Sequence, residues 1–215
     1  MTGQFDKTAK NVHKKLQRIG IMGGTFDPIH IAHLAIAEAV RDEFNLDLVL
    51  FIPAANPPHK QGRKVVPAYH RLMMVHLATY SNPYFHVSKQ EMEREGPSYS
   101  LLTLQELHAK YGDDKEYYFI TGSDTINELH TWYHVDELLK KCHFVGTTRP
   151  GAPIDFTALQ HEFGDTANKR VHALNVPELA ISSTDIRKRV KLKKSIRYLV
   201  PEPVAEYIEK EGLYR

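Results

Sequence analysis

A glycine pair followed by two histidines is the segment of this chain best suited to chemistry. Gly23 and Gly24 close a short apolar run, and His30 and His33 follow. Glycine lets a backbone turn sharply and approach a ligand closely, and the free N–H groups of a following helix attract anions. Histidines three residues apart lie on one face of that helix, at its first turn. The segment therefore predicts a phosphate site in which imidazoles donate hydrogen bonds.

This glycine turn differs from two common phosphate loops. No third glycine follows Gly24 at the spacing of a dinucleotide-binding fingerprint, and no Gly-Lys-Ser/Thr follows as in a Walker loop. The chain has 13 histidines, so a chance pair at the surface is the alternative interpretation of His30 and His33. The neighbouring glycines favour the phosphate interpretation.

A second segment, residues 181–187, offers hydroxyl groups and a guanidinium at another helix start. Ser182 is a candidate N-cap, and Asp185 stands three residues later, where a capping box places an acid. A well-capped helix is therefore one interpretation. The other uses the same geometry, with Arg187 as a planar donor of several hydrogen bonds to phosphate.

Together the two segments resemble the signatures of the His-x-Gly-His nucleotidyltransferase superfamily. Further motifs occur in the order found in bacterial nicotinate mononucleotide adenylyltransferases, so the chain resembles that family over roughly residues 18–215. They are residues 57–60 (PPHK), 93–99 (EREGPSY), 122–124 (GSD), 132–133 (WY) and 211–214 (EGLY). Two positions depart from the family pattern: Ala32 replaces a usual glycine, and Ser100 stands where threonine is common.

The resemblance implies a reaction between ATP and nicotinate mononucleotide in NAD biosynthesis. The 5′-phosphate of the mononucleotide attacks the α-phosphorus in line, giving nicotinic acid adenine dinucleotide and pyrophosphate. Catalysis is then positioning and charge neutralisation, without a protein nucleophile. Mg²⁺ is expected to be carried on ATP, and no metal-ligating residue is predicted. His130 and His134 have the spacing of a zinc pair but lack the expected neighbouring glutamate.

The same resemblance assigns roles to residues. His30, His33 and Arg187 are the implied catalytic residues, with the histidines on the ATP phosphates and the arginine on the departing pyrophosphate. The implied ATP-binding residues are Gly23, Gly24, Thr25, Phe26, Lys60, Ile181, Ser182 and Ser183.

For the acceptor, Trp132 is the expected stacking surface for the pyridine ring, although a lone tryptophan is also a common core residue. The backbone N–H groups of Tyr99 and Ser100, at a predicted helix start, suit the nicotinate carboxylate. Asp124 follows a strand and a glycine, where a ribose contact or a structural role is expected.

Two other functions are compatible with parts of the sequence. A related enzyme could use nicotinamide mononucleotide or phosphopantetheine as its acceptor; Trp132 and the Tyr99–Ser100 pair oppose phosphopantetheine. A non-catalytic nucleotide- or RNA-binding module could use the basic residues between Arg187 and Arg197. Such a module would bind without turnover and depend strongly on salt. The histidine pair and Arg187 favour turnover.

The elements that position these residues alternate along the chain. An apolar strand at residues 18–22, a helix at 30–44 and a strand at 48–52 form a predicted βαβ unit. The alternation continues, so we predict an α/β fold: a single Rossmann-like open parallel sheet with helices on both faces and a small C-terminal helical part. Further strands are expected at 84–87, 117–121, 143–147 and 170–174, and helices at 69–80, 100–111, 135–141, 184–191 and 203–210.

Composition limits the remaining possibilities. The 215 residues carry 28 Lys and Arg against 26 Asp and Glu, which does not favour nucleic acid as a partner. The single cysteine, Cys142, excludes an internal disulfide and favours a reducing, cytoplasmic compartment. No signal peptide or membrane span is expected. We predict an extension at 1–17 and one domain at 18–215; a homo-oligomer is left open.

Overall fold

The computed structural model of the chain describes residues 16–55, 65–148, 153–176 and 179–215. Within these ranges, six parallel strands form one open sheet in the order β3-β2-β1-β4-β5-β6. The predicted fold class is confirmed. The strands are β1 (Arg18–Gly24), β2 (Leu48–Pro53), β3 (Phe85–Val87), β4 (Glu116–Gly122), β5 (His143–Thr148) and β6 (Val171–Asn175).

Helices cover both faces of the sheet. They are α1 (Ile31–Glu43), α2 (Ala68–Thr79), α3 (Gln90–Glu93), α4 (Ser100–Tyr111), α5 (Ser123–Asn127), α6 (Val135–Lys141), α7 (Phe156–Phe163), α8 (Asp165–Arg170), α9 (Ser183–Lys191) and α10 (Glu202–Lys210), with a 3₁₀ turn at Leu129–Thr131. No helix in the described ranges is long and apolar enough to cross a bilayer.

Side-chain alternation along the strands creates two cores. In β4, Tyr117 and Phe119 point into one core, and Tyr118 and Ile120 into the other. The first core is closed by helices α4 to α8, and the second by α1, α2, α9 and α10. Every residue of β2 is buried, as expected for a strand inside a parallel sheet covered on both faces.

The order of the strands reverses next to β1. The chain runs outward from β1 through β2 to β3, and then crosses to β4 on the opposite side of β1. Gly24 and Gly122, which end β1 and β4, therefore lie at the same edge of the sheet. Ligands of open α/β sheets bind in the crevice at this kind of switch point.

Sequence reasoning missed helices α7 and α8. Asp155 caps α7, because its Oδ1 accepts a hydrogen bond from the Ala158 N–H at 2.9 Å, and Leu159 packs into the first core. An aspartate directly before an apolar, helically spaced segment was the available signal. These short helices lie between β5 and β6, and so they complete the βαβ alternation.

Replacing Asp155 with alanine should lower the free energy of unfolding by about 1 kcal/mol, because a helix cap is lost. Asp155→Asn keeps a capping oxygen and should stay close to the parent. Urea unfolding of the three proteins measures the difference. Equal losses in both variants would show that the cap does not stabilise α7.

Candidate active site

The loop after β1, residues 25–30, is shaped by close packing against the glycine pair. A Cβ on Gly24 would lie 3.0 Å from the Phe26 ring, whereas a Cβ on Gly23 would meet nothing within 4 Å. Phe26 is 2% exposed and has a φ of 49°, a backbone conformation that few residues with side chains adopt. Gly24 therefore allows Phe26 to fold back, while Gly23 leaves open space beside the strand end. We call residues 25–30 the β1 loop.

His30 and His33 stand together where the β1 loop enters α1. The Nδ1 of His33 accepts a hydrogen bond from the backbone N–H of His30 at 3.2 Å, and the two ring centroids are 3.7 Å apart. A neutral His33 therefore carries its proton on Nε2. His30 is buried, and burial lowers its pKa to about 4, so this imidazole is neutral near pH 7. The spacing argument that paired the two histidines agrees with this geometry.

The start of α9 is anchored on the β1 loop. Ser182 caps the helix by accepting from the Asp185 N–H at 3.0 Å, and the Ser183 hydroxyl donates to the Pro28 carbonyl at 2.9 Å. Arg187 Nη1 donates to the Asp27 carbonyl at 2.7 Å. The two segments singled out as phosphate sites thus meet, although residues 27 and 187 are far apart in the chain. Ser182 therefore caps α9, and the start of α9 also contacts the β1 loop.

Arg71 is a buried residue of this region that sequence reasoning missed. Its side chain, on α2, is 2% exposed, and Nη1 donates to the carbonyls of Thr25 at 2.8 Å and Ala54 at 2.6 Å. Nε donates to the Val66 carbonyl at 3.1 Å. The guanidinium therefore joins the ends of β1 and β2. An arginine on a helix ordinarily faces solvent, so the sequence carried no signal for this position.

Tyr214 belongs to the 211–214 motif, from which the sequence predicts no role for it. Its hydroxyl donates to Asp27 Oδ1 at 2.8 Å, and Asp27 Oδ2 lies 3.8 Å from Arg187 Nη1. Burial and the nearby Asp27 raise the pKa of Tyr214, which keeps the hydroxyl a donor. Asp27 is 4% exposed. The carboxylate is thus held between a phenol and a guanidinium.

A cleft of about 710 Å³ opens at the carboxyl ends of β1 and β4. We call it the sheet-end cleft. It brings together residues predicted for the nucleotide and for the acceptor, namely Gly23, Gly24, Thr25, Tyr99, Ser100 and Trp132. The histidine pair and Arg187 adjoin the β1 loop through the contacts above and are not part of this lining. The β1 loop therefore connects two groups of predicted site residues.

The start of α4 forms one wall of the sheet-end cleft. Tyr99 is the residue before the helix, and its own N–H donates to the Pro97 carbonyl at 3.0 Å. Of the two backbone donors predicted for a carboxylate, the Tyr99 N–H is therefore already engaged. The Ser100 N–H is the first of the helix, and it has no partner within the helix. The Tyr99 ring stacks on Tyr133 with centroids 4.5 Å apart.

Trp132 lies at the boundary between the sheet-end cleft and the first core. The side chain is half-buried and lines the sheet-end cleft. It also contacts the first core, edge-on to Phe119 at 6.4 Å and to Phe144 at 5.7 Å between ring centroids. A substitution at Trp132 is therefore expected to affect packing as well as the cleft.

Glu91 is an acidic wall residue that the sequence did not reveal. It is buried, lines the sheet-end cleft, and accepts a hydrogen bond on Oε1 from the Thr103 hydroxyl at 2.7 Å. Arg94 donates in turn to the Thr103 oxygen at 3.2 Å. Burial raises the pKa of Glu91.

Two predicted residues of the described ranges are not brought into either group. Asp124 is exposed in the first turn of α5 and is not part of the cleft lining, whereas its neighbour Thr125 is. Ile181 packs on the second core. Lys60 lies outside the described residues, and so does the 57–60 motif.

The zinc-like histidine pair does not share a helix. His130 is in the 3₁₀ turn, and His134 has a φ of 50° directly before α6, so the four-residue spacing does not place the rings on one face. Among the residues that the structure describes, no group of three or more His, Cys, Asp or Glu side chains is placed to hold a metal ion.

The open parallel sheet, the glycine turn and the anchored start of α9 define a nucleotidyltransferase of the Rossmann-like α/β class. The family described as cytidylyltransferase-like matches residues 21–189, so most of the chain is covered. Two relatives narrow this class further.

The "Probable nicotinate-nucleotide adenylyltransferase" of Moorella thermoacetica is 52% identical over 199 residues, covering 92% of each chain. The protein of that name from Corynebacterium glutamicum is 44% identical over 202 residues, covering 94% of this chain and 90% of the relative. The chain belongs to the nicotinate-nucleotide adenylyltransferases of the cytidylyltransferase-like family. A Plasmodium falciparum nicotinic acid mononucleotide adenylyltransferase complexed with NaAD has the same fold, with 24% identity, a TM-score of 0.72, and coverage of 92% of this chain and 97% of that one.

The buried His30 predicts a stability that depends on pH. Its pKa falls from 6.5 to about 4 on folding, so the unfolded chain binds more protons between these values. The contribution, about 3 kcal/mol, is fully present above pH 6.5 and is lost as the pH falls toward 4. His30→Gln should flatten this dependence in urea unfolding curves measured from pH 4 to 7.

His143 contributes to the same pH dependence of stability, in the parent and in the variant alike. Burial and the adjacent Arg170 lower its pKa to about 4 as well, so it contributes the same sign of slope in both proteins. The difference between parent and variant isolates His30. Parallel stability curves would contradict the neutral, buried state of His30.

Proposed function

We infer that this protein transfers the adenylyl group of ATP to nicotinate mononucleotide, giving nicotinic acid adenine dinucleotide and pyrophosphate. The observation that carries the inference is the meeting of the glycine–histidine segment with the start of α9 at the switch point of the sheet. The sheet-end cleft lies beside this meeting point. Relatives that cover more than nine-tenths of this chain bear the corresponding name.

On the phosphate side, His33 and Arg187 are proposed to contact ATP. The hydrogen bond from the His30 N–H occupies His33 Nδ1, so Nε2–H is the donor that His33 offers to a phosphate oxygen. Arg187 retains part of its surface, being 33% exposed, and its planar fork suits the pyrophosphate that departs. His30, whose ring is neutral and lies against His33, is proposed as a second phosphate contact, and Ser182 and Ser183 as contacts of the departing pyrophosphate. Ser183 also fixes the β1 loop by donating to the Pro28 carbonyl. Backbone groups of residues 23–26 are proposed to hold the nucleotides, with Lys60 as a further phosphate contact.

On the acceptor side, the sheet-end cleft is proposed to receive the pyridine nucleotide. Trp132 offers an aromatic surface, and the Ser100 N–H at the positive end of α4 suits a carboxylate. The nicotinate carboxylate is therefore assigned to the helix end.

The reaction needs little covalent chemistry from the protein. An oxygen of the acceptor 5′-phosphate bonds to the α-phosphorus of ATP while the bond from that phosphorus to the bridging oxygen breaks, and pyrophosphate leaves with the electron pair. The residues contribute by aligning the two phosphates and by neutralising charge on the leaving group.

A divalent ion fits this scheme as part of the nucleotide substrate. The carboxylate of Asp27, next to the phosphate side, is already engaged by Tyr214 and adjoins Arg187. Mg²⁺ commonly keeps its waters and binds through substrate phosphates, supplying further charge neutralisation there. We propose MgATP as the substrate form, with no carboxylate cage from the residues described above.

Replacing His33 with alanine should lower kcat by about 10²-fold, because a donor to the phosphates is lost from the transition state. Pyrophosphate release from ATP and nicotinate mononucleotide measures the rate, and circular dichroism checks that the variant is folded. His86→Ala, at an exposed position on the edge strand β3, is the matched control and should keep the parental rate. An unchanged rate in folded His33→Ala would remove His33 from the mechanism.

The acceptor assignment predicts discrimination between acid and amide. Helix-end donors favour a carboxylate over an amide that presents its own N–H, and such mismatches give about 10²-fold discrimination or more. Values of kcat/KM for nicotinate and nicotinamide mononucleotides test this directly. Equal values would contradict the carboxylate assignment. Trp132→Ala should weaken both acceptors, whereas Ser100→Ala should change selectivity little because the backbone N–H remains.

A further inference from the structure

We propose that Tyr214 is a positioning residue of the reaction, which acts through Asp27 to keep the Arg187 guanidinium available to the departing pyrophosphate. This inference rests on the proposed function. It concerns a side chain that is 187 residues from its partner in the chain and belongs to the segment after α10.

Arg187 contacts Asp27 mainly through the backbone carbonyl of that residue. Nη1 of Arg187 donates to the Asp27 backbone carbonyl at 2.7 Å, while the nearer carboxylate oxygen, Oδ2, is 3.8 Å away. The guanidinium therefore makes its short contact with a neutral carbonyl. A direct fork-to-fork pair with the carboxylate would be the stronger alternative for these two groups.

A hydrogen bond from Tyr214 holds the Asp27 carboxylate back from Arg187. Tyr214 donates to Asp27 Oδ1 at 2.8 Å and so satisfies the side of the carboxylate away from Arg187. Asp27 is 4% exposed, so water is a poor substitute for this donor. Without the hydroxyl, the carboxylate oxygens would take Arg187 as their partner, and the guanidinium would be drawn from the phosphate side.

Tyr214 reaches Asp27 because the chain turns back after α10. The Leu213 N–H donates to the Ile208 carbonyl at 3.0 Å, and Leu213 is buried in the second core. Gly212 and Tyr214 have φ values of 63° and 65°, so the chain turns back on itself after α10. A left-handed φ at a tyrosine is costly and persists where its surroundings determine it. The hydrogen bond to Asp27 is such a determinant.

The test compares Tyr214→Phe with Tyr207→Phe. Tyr207 is a matched control, because its hydroxyl bonds His70 Nδ1 at 2.9 Å between α10 and α2, away from Asp27. We expect Tyr214→Phe to lower kcat about tenfold and to raise the KM for pyrophosphate in the reverse reaction by a similar factor. The KM for nicotinate mononucleotide should not change, and Tyr207→Phe should keep both parental values.

A double-mutant cycle separates positioning from general destabilisation. Arg187→Lys keeps the charge but removes the planar fork. If Tyr214 acts through Arg187, Tyr214→Phe should have little further effect on kcat in the Arg187→Lys background. Full additivity, or a loss in Tyr214→Phe no larger than in Tyr207→Phe, would overturn the proposal.

Calorimetric titration with MgATP alone makes this test independent of the acceptor. A parent protein that binds MgATP but does not turn over nicotinate mononucleotide would contradict the proposed function. In that case, weaker MgATP binding by Tyr214→Phe than by Tyr207→Phe still supports the positioning role. Equal binding by the two variants would reject it.

Discussion

Two guanidinium groups hold the β1 loop from different directions, and the rest of the site depends on this restraint. Arg71 donates to the Thr25 carbonyl at the start of the loop, and Arg187 donates to the Asp27 carbonyl within it. A buried guanidinium is costly unless its donors are paired. Arg71 meets this condition with backbone carbonyls from the ends of β1 and β2 and from the residues before α2. The loop conformation is thus fixed by the folded protein.

A fixed loop suits a reaction in which the protein supplies no nucleophile. The rate then depends on how well two phosphates are aligned, and small displacements of the aligning groups are expensive. The β1 loop runs from the sheet-end cleft to the histidine pair, so one restraint fixes both parts of the candidate site. Phe26, which packs against Gly24 with a φ of 49°, shows how tightly the loop is determined.

The fold was largely predictable from the sequence because its determinants are local. Apolar runs gave the strands, and β2, buried along its whole length, is the plainest of them. The glycine turn and the Ser182 cap were also visible as local patterns. Arg71 and Glu91 were not, because their roles come from burial and from partners such as Thr25, 46 residues away from Arg71. The donor lost at Tyr99, whose N–H binds the Pro97 carbonyl, depends on backbone geometry that residue types do not specify.

The residues on the proposed phosphate side differ in their charge. Burial makes His30 neutral near pH 7, so this histidine adds a polar ring without adding a cation. Arg187 is a cationic member, and Asp27 next to it bears the opposite charge. A free carboxylate there would repel phosphate and compete for the guanidinium. The phenol of Tyr214 reduces that competition by a hydrogen bond and leaves the charge of Arg187 in place. In the proposed site, an acid can therefore lie beside bound phosphate without taking the guanidinium from it, provided that a neutral donor occupies its other side.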